Sequence, residues 1–115
     1  MLDILIVEDH QEIGKLLCDF LRKENYVVSV ATTGEKALEL YEKYGAKLLI
    51  LDIMLPGMDG YAVCSKVRES ANTHILIASA KTGKEDKLKG LNLGADDYIE
   101  KPYDMDILLA KINGI

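Results

Sequence analysis

The sequence has few cysteines, no excess of positive charge and no long apolar run, and each shortage argues against a class of protein. Its 115 residues include only two cysteines, Cys18 and Cys64, which belong to no CxxC pair or Cys/His cluster. Their spacing favours two reduced, buried thiols over a disulfide or a zinc site. The formal net charge of −5 argues against direct binding to nucleic acid or to an anionic membrane, because phosphate contacts need basic surface.

No apolar run approaches the roughly 20 residues that a membrane-spanning helix requires. The first nine residues, MLDILIVED, have no basic stretch before their short apolar run, which is typical of a strand and not of a signal peptide. We therefore expect a cytoplasmic protein with no membrane segment. A chain of 115 residues has the usual size of one domain with its own core.

Short apolar runs alternate with helical patterns along the chain. Predicted strands cover 4–7, 26–31, 48–51, 74–79 and 97–100, and predicted helices cover 11–24, 34–44, 61–70, 84–95 and 104–112. Three of the strands are continuously apolar, which is typical of parallel strands covered on both faces by helices. The alternation predicts an α/β fold, a doubly wound five-stranded parallel sheet with five helices on both faces.

Polar side chains follow the predicted strands at their carboxyl ends, where ligands bind in doubly wound sheets. These residues are Glu8, Asp9, Asp52, Ser79 and Lys101. Three neighbouring carboxylates repel one another unless a cation is present, and Mg²⁺ prefers carboxylate oxygens. With a lysine and a hydroxyl beside them, they suit phosphoryl transfer to a carboxylate. Asp52 is the best candidate nucleophile because it ends a strand predicted to be central.

Several of these residues also have a purely structural interpretation. Asp9 could cap the following helix, Lys101-Pro102 could be an ordinary turn, and the Ser79 hydroxyl could bond to the backbone. All of these residues follow predicted strands at the same edge of the sheet, and this common location favours the functional interpretation. A further acid, Asp59 in LPGMDG, is better interpreted as the N-cap of the third helix than as another metal ligand.

Four motifs resemble those of the receiver domains of two-component response regulators. They are ILIVED (4–9), LLILDIMLPGMDGY (48–61), ILIASAK (75–81) and GADDYIEKPY (94–103). The resemblance covers essentially the whole chain, 1–115, and implies the flavodoxin-like receiver fold with strand order 2-1-3-4-5. It also implies a signalling switch that accepts a phosphoryl group from a histidine kinase and uses Mg²⁺ or Mn²⁺. Such a domain assists its own phosphorylation and dephosphorylation and is not otherwise an enzyme.

The resemblance implies a role for each matching residue. Asp52 is the phosphoacceptor, and Ser79 and Lys101 assist the transfer. The metal ligands are Glu8, Asp9, Asp52 and the backbone carbonyl of Met54. The switch consists of Ser79 and Tyr98, whose ring turns inward when Ser79 moves.

Two further features come with the resemblance. The peptide bond between Lys101 and Pro102 is expected to be cis. His10 stands where many relatives have a third acid, at a position outside the metal shell.

The segment GADDYIEKPY with the following ILLAKI is most similar to the subfamily whose output is a winged-helix DNA-binding domain. That similarity implies a longer protein whose output domain, absent from this chain, regulates transcription. It also implies a homodimer through helix 4, strand 5 and helix 5. The residues of that face are Lys87, Lys89, Leu91, Asp96, Asp97, Ala110 and Lys111. Ile107 stands where an acid is usual, which removes an ion pair worth about 0–1 kcal/mol.

Three other functions match parts of the pattern. A phosphatase of the haloacid-dehalogenase type needs an Asp-x-Asp after its first strand, whereas this chain has adjacent Glu8 and Asp9. A flavodoxin-like mononucleotide binder needs a Ser/Thr/Gly loop there, whereas this chain has the acidic EDHQE. A receiver that binds partners without being phosphorylated stays open, although the complete set of site residues argues against it.

Overall fold

A computed structural model describes residues 1–70, 72–80 and 83–115 of the chain. Its elements in chain order are β1 (Leu2–Val7), α1 (Gln11–Lys23), β2 (Val28–Ala31), α2 (Gly34–Tyr44), β3 (Ala46–Leu51), α3 (Gly60–Val67), β4 (His74–Ser79), α4 (Lys84–Asn92), β5 (Asp97–Glu100) and α5 (Met105–Asn113). The strands form one parallel sheet in the order β2-β1-β3-β4-β5. The predicted fold class and strand order are therefore confirmed.

The core lies in two layers, one on each face of the sheet. Leu5 and Leu49, which are fully buried, pack on the layer that includes Val63 of α3. Their neighbours Ile4 and Ile50 enter the opposite layer, which α1 and α5 complete. Successive strand residues point to opposite faces, so a strand covered on both sides needs an apolar residue at every position. This explains the continuous apolar runs.

Several helix ends follow local capping. Asp59 accepts a hydrogen bond from the backbone N–H of Ala62 at 3.0 Å and caps α3, which confirms the interpretation of this acid as an N-cap. Gly45, with φ +68°, ends α2. Helix α4 stops at Asn92, three residues before the predicted end, because Gly94 has φ +110° and reverses the chain.

Two other elements are shorter than predicted. Strand β2 begins at Val28 and not at residue 26, because the N–H of Tyr26 still bonds back to the Leu21 carbonyl at 3.3 Å, after Asn25 at φ +71°. Helix α3 spans Gly60–Val67, ending three residues before the predicted limit. The motif ILIASAK ends at Lys81, which lies outside the described residues.

Two smaller expectations, a cis peptide bond and unpaired buried cysteines, are also met by the fold. The bond between Lys101 and Pro102 is cis. Cys18 and Cys64 are free and buried, and burial raises the pKa of both thiols. Within the described ranges, no helix combines the length and the apolar character needed to cross a bilayer.

Candidate functional site

Asp52 lies directly after the central strand β3, with its backbone N–H bonded to the Val7 carbonyl at 3.0 Å. The residue is 7% exposed. Its Oδ1 accepts a hydrogen bond from the Met54 N–H at 2.8 Å, and its Oδ2 lies 2.9 Å from Lys101 Nζ. Both carboxylate oxygens are therefore held in place at the carboxyl end of the sheet.

The loop between Asp52 and α3 is fixed by a close approach at Gly60. A Cβ there would lie 2.3 Å from Ile53 Cα and 2.6 Å from the Asp52 carbonyl oxygen, so only glycine fits. The Gly60 N–H also donates to the Ile53 carbonyl at 3.1 Å. The start of α3 is thus packed directly on the backbone of Asp52, while the Met54 side chain, 51% exposed, stands at the rim.

Lys101 joins two carboxylates that come from different strands. Its ammonium group bonds to Glu8 and to Asp52, and its backbone N–H bonds to the Ser79 carbonyl at 2.9 Å. Burial by itself lowers the pKa of Lys101, but the hydrogen bonds to Glu8 and Asp52 outweigh it, and the pKa is raised above its usual value. The lysine is therefore charged and neutralises part of the acidic pocket.

Glu8, Asp9 and His10 form the acidic side of the pocket after β1. One ligand atom from each lies within 4.8 Å of the others. His10 Nδ1 lies 3.4 Å from Asp9 Oδ1 and 3.5 Å from Glu8 Oε2. Asp9 Oδ1 is buried and accepts no hydrogen bond from any residue that the structure describes. An oxygen of this kind, beside a second carboxylate, is a donor that suits a hard cation.

Asp9 does not cap α1, so that structural alternative is wrong. The N-cap of α1 is His10, which makes no side-chain capping bond. The backbone N–H of His10 donates instead to the Glu8 carboxylate at 3.2 Å. The Asp9 carboxylate therefore has no part in capping α1 and is available as a metal ligand.

Ser79 and Tyr98 lie together on the last two strands. Ser79 ends β4 and is fully buried. Tyr98 lies on the neighbouring strand β5, where it pairs with Ile77 of β4. Burial raises the pKa of the Tyr98 phenol, while a hydrogen bond with the Ser79 side chain acts in the opposite direction. The structure therefore brings together the two residues assigned to the switch.

The residues expected on the dimer face are placed in two different environments. Leu91 is 42% exposed, and Ala110 is also exposed. Lys111 Nζ lies 2.8 Å from Asp97 Oδ2, and Lys87 pairs with Glu100. These pairs lie within one chain.

Asp96, by contrast, is engaged at the amino-terminal end of the sheet. Its Oδ2 accepts hydrogen bonds from the Ile75 N–H at 2.7 Å and from Arg68 at 3.0 Å. The carboxylate thus ties together the ends of three elements of its own chain.

An apolar groove beside the site was not anticipated from the sequence. Ile13 and Leu16 belong to the predicted apolar face of α1, yet they are 41% and 65% exposed. With Pro102, Tyr103 and Lys101 they line a groove of about 460 Å³. The sequence signal for this groove was the width of the apolar stripe on α1, which is larger than the area that packs against the sheet.

A contact between α3 and α4 was also missed. The Tyr61 hydroxyl lies 3.2 Å from Asp86 Oδ1 and 3.3 Å from the Asp86 carbonyl oxygen. These residues are separated by 25 positions on two helices, and no periodicity relates them.

The fold and the pocket define a CheY-like signalling domain, with acids and a lysine gathered at the carboxyl ends of a doubly wound sheet. Residues 4–113 match the family described as the response regulator receiver domain. The chain belongs to this family, which confirms the resemblance seen in its motifs. Domains of the family take part in two-component signalling, interact with histidine kinases and bind Mg²⁺ at an acidic pocket.

Relatives and solved structures agree with this membership. The chain is 40% identical to the sensory transduction protein RegX3 of Mycobacterium tuberculosis and 44% identical to the response regulator ArlR of Staphylococcus aureus. Each match covers all of this chain and 51% or 52% of the relative, so the chain spans about half the length of these proteins.

The BeF3-activated receiver domain of DrrB superposes with a TM-score of 0.91 at 32% identity, over 99% of this chain and 96% of that one. A second DrrB structure, described as a Thermotoga maritima OmpR/PhoB homolog, has a TM-score of 0.88 at 32% identity. It covers 98% of this chain and 51% of that one.

Proposed function

We propose that Asp52 accepts a phosphoryl group from the phosphohistidine of a histidine kinase, and that residues 1–115 are the receiver domain of a longer regulator. The observation that carries this assignment is the shared cation. Lys101 bonds to Asp52 and Glu8 at once, which places one positive charge where phosphoryl oxygens would arrive. A nucleophilic carboxylate beside fixed positive charge is the arrangement that phosphoryl transfer requires.

The residues of the pocket fit a magnesium ion. The donors are hard oxygens, and Asp9 Oδ1 is buried without a hydrogen bond from the described residues. Glu8, Asp9, Asp52 and the Met54 carbonyl are the residues that would hold Mg²⁺, or Mn²⁺ in its place. When bound, the ion supplies positive charge that offsets the phosphoryl oxygens.

The chain itself supplies orientation and charge. The Met54 N–H holds Asp52 Oδ1 at 2.8 Å, so the carboxylate cannot rotate freely. In the transfer, the P–N bond to the donor imidazole breaks and a P–O bond to Asp52 forms, and the electron pair of the broken bond stays on the imidazole nitrogen. Since the acyl phosphate has lost the carboxylate charge, Lys101 exchanges its bond to Asp52 for a phosphoryl oxygen.

The switch follows from the new charge. Phosphorylation replaces the one negative charge of the Asp52 carboxylate with nearly two on the phosphoryl oxygens, and the buried Ser79 hydroxyl is the nearby neutral donor for an oxyanion. When Ser79 moves to the phosphoryl group, its bond with Tyr98 changes and the ring turns inward. The surface of α4, β5 and α5 changes as a result, which is a local electrostatic event that biases a two-state element.

The exposed groove beside Lys101 is the proposed docking surface for the kinase. The donor histidine has to reach Asp52, so its protein must cover the surface around the pocket. Ile13 and Leu16 expose apolar area there, and exposed apolar area next to a reactive group indicates a partner site.

The output of the switch lies in the part of the protein that this chain does not include. The similarity of its last two elements to the winged-helix subfamily, and the match to a DrrB structure described as an OmpR/PhoB homolog, support a DNA-binding output that regulates transcription in the cytoplasm. A homodimer through the exposed Leu91 and Ala110 would couple phosphorylation to DNA binding, while the acidic receiver itself does not contact DNA.

Phosphorylation with acetyl phosphate and Mg²⁺, followed by intact-protein mass spectrometry, tests the assignment. The wild type is expected to gain one phosphoryl group and Asp52→Ala to gain none. Asp59→Asn is the matched control, because it changes an acid of the same loop that only caps α3 and should be phosphorylated normally. No gain in the wild type would support the alternative, an interaction module that works unphosphorylated.

A further inference from the structure

Helix α4 is held by few contacts over its length. Among its residues, Lys84–Asn92, only Gly90 is buried. It begins after Gly83, which offers no side-chain capping bond, and Leu88 and Leu91 are 46% and 42% exposed. A helix without a buried apolar stripe gains little from packing, so specific contacts at its two ends determine where it lies.

The carboxyl-terminal end of α4 is firmly fixed. Arg68, at the end of α3, donates from Nε to the Gly94 carbonyl at 2.9 Å and from its terminal nitrogen to Asp96 at 3.0 Å. Asp96 also exchanges two bonds with the backbone of Ile75, at 2.7 and 2.8 Å. Four bonds, three of them with an ionised donor or acceptor, therefore hold this end to α3 and β4.

Among the described residues, two side-chain contacts hold the first turn of α4: Lys87 pairs with Glu100 of β5, and the Tyr61 hydroxyl ties Asp86 to α3. Tyr61, 8% exposed, donates its one hydroxyl hydrogen toward two acceptors of Asp86, Oδ1 at 3.2 Å and the carbonyl at 3.3 Å. Lys89 Nζ lies 4.3 Å from the centre of the Tyr61 ring. Burial, followed by the charge of Asp86, raises the pKa of Tyr61 to about 12, so the hydroxyl keeps its hydrogen.

Tyr61 is also coupled to the phosphoacceptor. It follows Gly60, whose Cα packs on the Asp52 carbonyl and on Ile53, so Tyr61 moves with the backbone of Asp52. The carboxylates of Asp86 and Asp52 both act on the Tyr98 phenol and raise its pKa, after the larger effect of burial. Phosphorylation replaces the single negative charge of the Asp52 carboxylate with the nearly two carried by the phosphoryl group, and the added charge disfavours the present position of Asp86.

We propose that the hydrogen bond between Tyr61 and Asp86 is a latch that holds the first turn of α4 in the unphosphorylated domain. Phosphorylation of Asp52 releases the latch, and α4 pivots about its fixed end at Arg68 and Asp96. Tyr61 is then a positioning residue for the switch, acting from α3 alongside Ser79 and Tyr98. The proposal rests on the proposed function, because it needs Asp52 to be the phosphoacceptor.

The latch has a consequence that binding can measure. When a ligand binds only the released state, part of its binding free energy is used to open the latch. Removing the latch therefore tightens the apparent affinity for that ligand. Tyr61→Phe removes the hydroxyl and keeps the ring under Lys89. One hydrogen bond of ordinary strength corresponds to about a 2- to 10-fold change in affinity.

Beryllofluoride with Mg²⁺ is the probe, with affinity measured by titration and the opening of α4 by amide hydrogen exchange. Tyr61→Phe is expected to bind beryllofluoride more tightly and to exchange faster in the first turn of α4 in its absence. With beryllofluoride bound, the exchange of the variant and the wild type should coincide. Tyr41→Phe is the matched control, since it removes a phenol that bonds to Thr73 at 2.7 Å, away from α4.

A double-mutant cycle with Asp86→Ala separates the latch from independent effects. In the Tyr61→Phe background, Asp86→Ala should give no further gain in affinity. Additive gains, an unchanged affinity in Tyr61→Phe, or an exchange difference that persists with beryllofluoride bound would each overturn the latch. If the wild type itself fails to bind beryllofluoride and gains no phosphoryl group, the proposed function fails, and the latch fails with it.

Discussion

Lys101 Nζ lies 2.9 Å from Asp52 Oδ2 while it also bonds to Glu8, so a single cation is shared by two buried carboxylates. Glu8 is 4% exposed and Asp52 7% exposed. Buried charges of one sign are costly unless they are paired. The lysine therefore holds the site together as well as serving the proposed chemistry, and its removal should be felt in the stability of the domain.

Replacing Lys101 with methionine is expected to lower the free energy of unfolding by about 3 kcal/mol, because two buried carboxylates lose their partner. Mg²⁺ should recover more stability in the variant than in the wild type, since it replaces the missing charge. Urea denaturation with and without Mg²⁺ measures both effects. Lys47→Met is the control, as it removes a surface pair at 3.6 Å with Asp3, worth less than about 1 kcal/mol.

The ion pairs of Lys101 also predict how the difference in free energy of unfolding between the wild type and Lys101→Met depends on pH. The pKa of Lys101 is higher in the folded state than its ordinary value of 10.5. Its stabilisation is therefore complete below pH 10.5 and is lost as the pH rises through the folded pKa. A gap between the two proteins that stays constant through this alkaline range would contradict the assignment of the charge.

Asp9→Asn tests the metal site through stability. In the wild type, Mg²⁺ is expected to raise the melting temperature in a concentration-dependent way, as for any ligand that binds only the folded state. The variant should lose most of this response, because Asp9 Oδ1 is the buried oxygen without a hydrogen bond from the described residues. Without Mg²⁺ it should be at least as stable as the wild type, because one repulsive charge is gone. An equal Mg²⁺ response in both proteins would exclude Asp9 as a ligand.

The acidic pocket could be predicted from the sequence because its members follow strands. In a parallel sheet the carboxyl ends share one edge, so Asp52 and Lys101 could be placed together although they are 49 residues apart. The same reasoning works for the core, where continuous apolar runs indicate burial on both faces. Strand ends are thus positions that topology alone determines.

Contacts between surface helices could not be predicted in this way. The bond from Tyr61 to Asp86 depends on how α3 and α4 are rotated against each other, and α4 has no buried apolar stripe that fixes this rotation. The resemblance assigns Asp96 to the dimer face, and nothing in the motif GADD indicates that its carboxylate bonds to Ile75 and Arg68 within the chain. A pattern locates a residue on an element but does not select the partner of a side chain.

Gly60→Ala should damage both the fold and the site. Its new Cβ would meet backbone atoms at 2.3 and 2.6 Å, and backbone cannot move aside as a flexible side chain can. We expect a loss of about 2–3 kcal/mol together with slower phosphorylation by acetyl phosphate. Gly114→Ala is the matched control, because the nearest atom to its Cβ is 3.5 Å away. Wild-type stability in Gly60→Ala would show that the α3 loop is free to shift.

Leu91→Asp tests the proposed dimer face. The side chain is 42% exposed, so the folded monomer should lose less than about 1 kcal/mol. At the centre of a homodimer, however, two added carboxylates would face each other across the symmetry axis. Analytical ultracentrifugation with beryllofluoride and Mg²⁺ should find the wild type dimeric and the variant monomeric. Tyr44→Asp, at a position 47% exposed on α2, should dimerise like the wild type.

The phenol of Tyr61 gives a test of the α3–α4 junction that needs no phosphorylation. Its pKa rises from 10.0 to about 12 in the folded state, first through burial and then through Asp86. Between these two values the folded protein keeps a proton that the unfolded chain has released, so stability must fall as the pH rises across the window. Tyr61→Phe removes this contribution and should make the fall shallower in denaturation experiments at increasing pH.

Asp86→Asn distinguishes the charge of Asp86 from burial in raising the pKa of Tyr61. Its amide keeps an oxygen for the hydroxyl but removes the negative charge, so the pKa should fall part of the way back while burial keeps it above 10.0. Ultraviolet titration of phenolate absorbance, compared between wild type and variants, follows this one group among the six tyrosines. Subtracting the titration curve of Tyr61→Phe from that of the wild type gives the titration of Tyr61 alone. If this difference is centred near pH 10, Tyr61 is not buried against Asp86. The contact on which the latch depends would then be absent in solution.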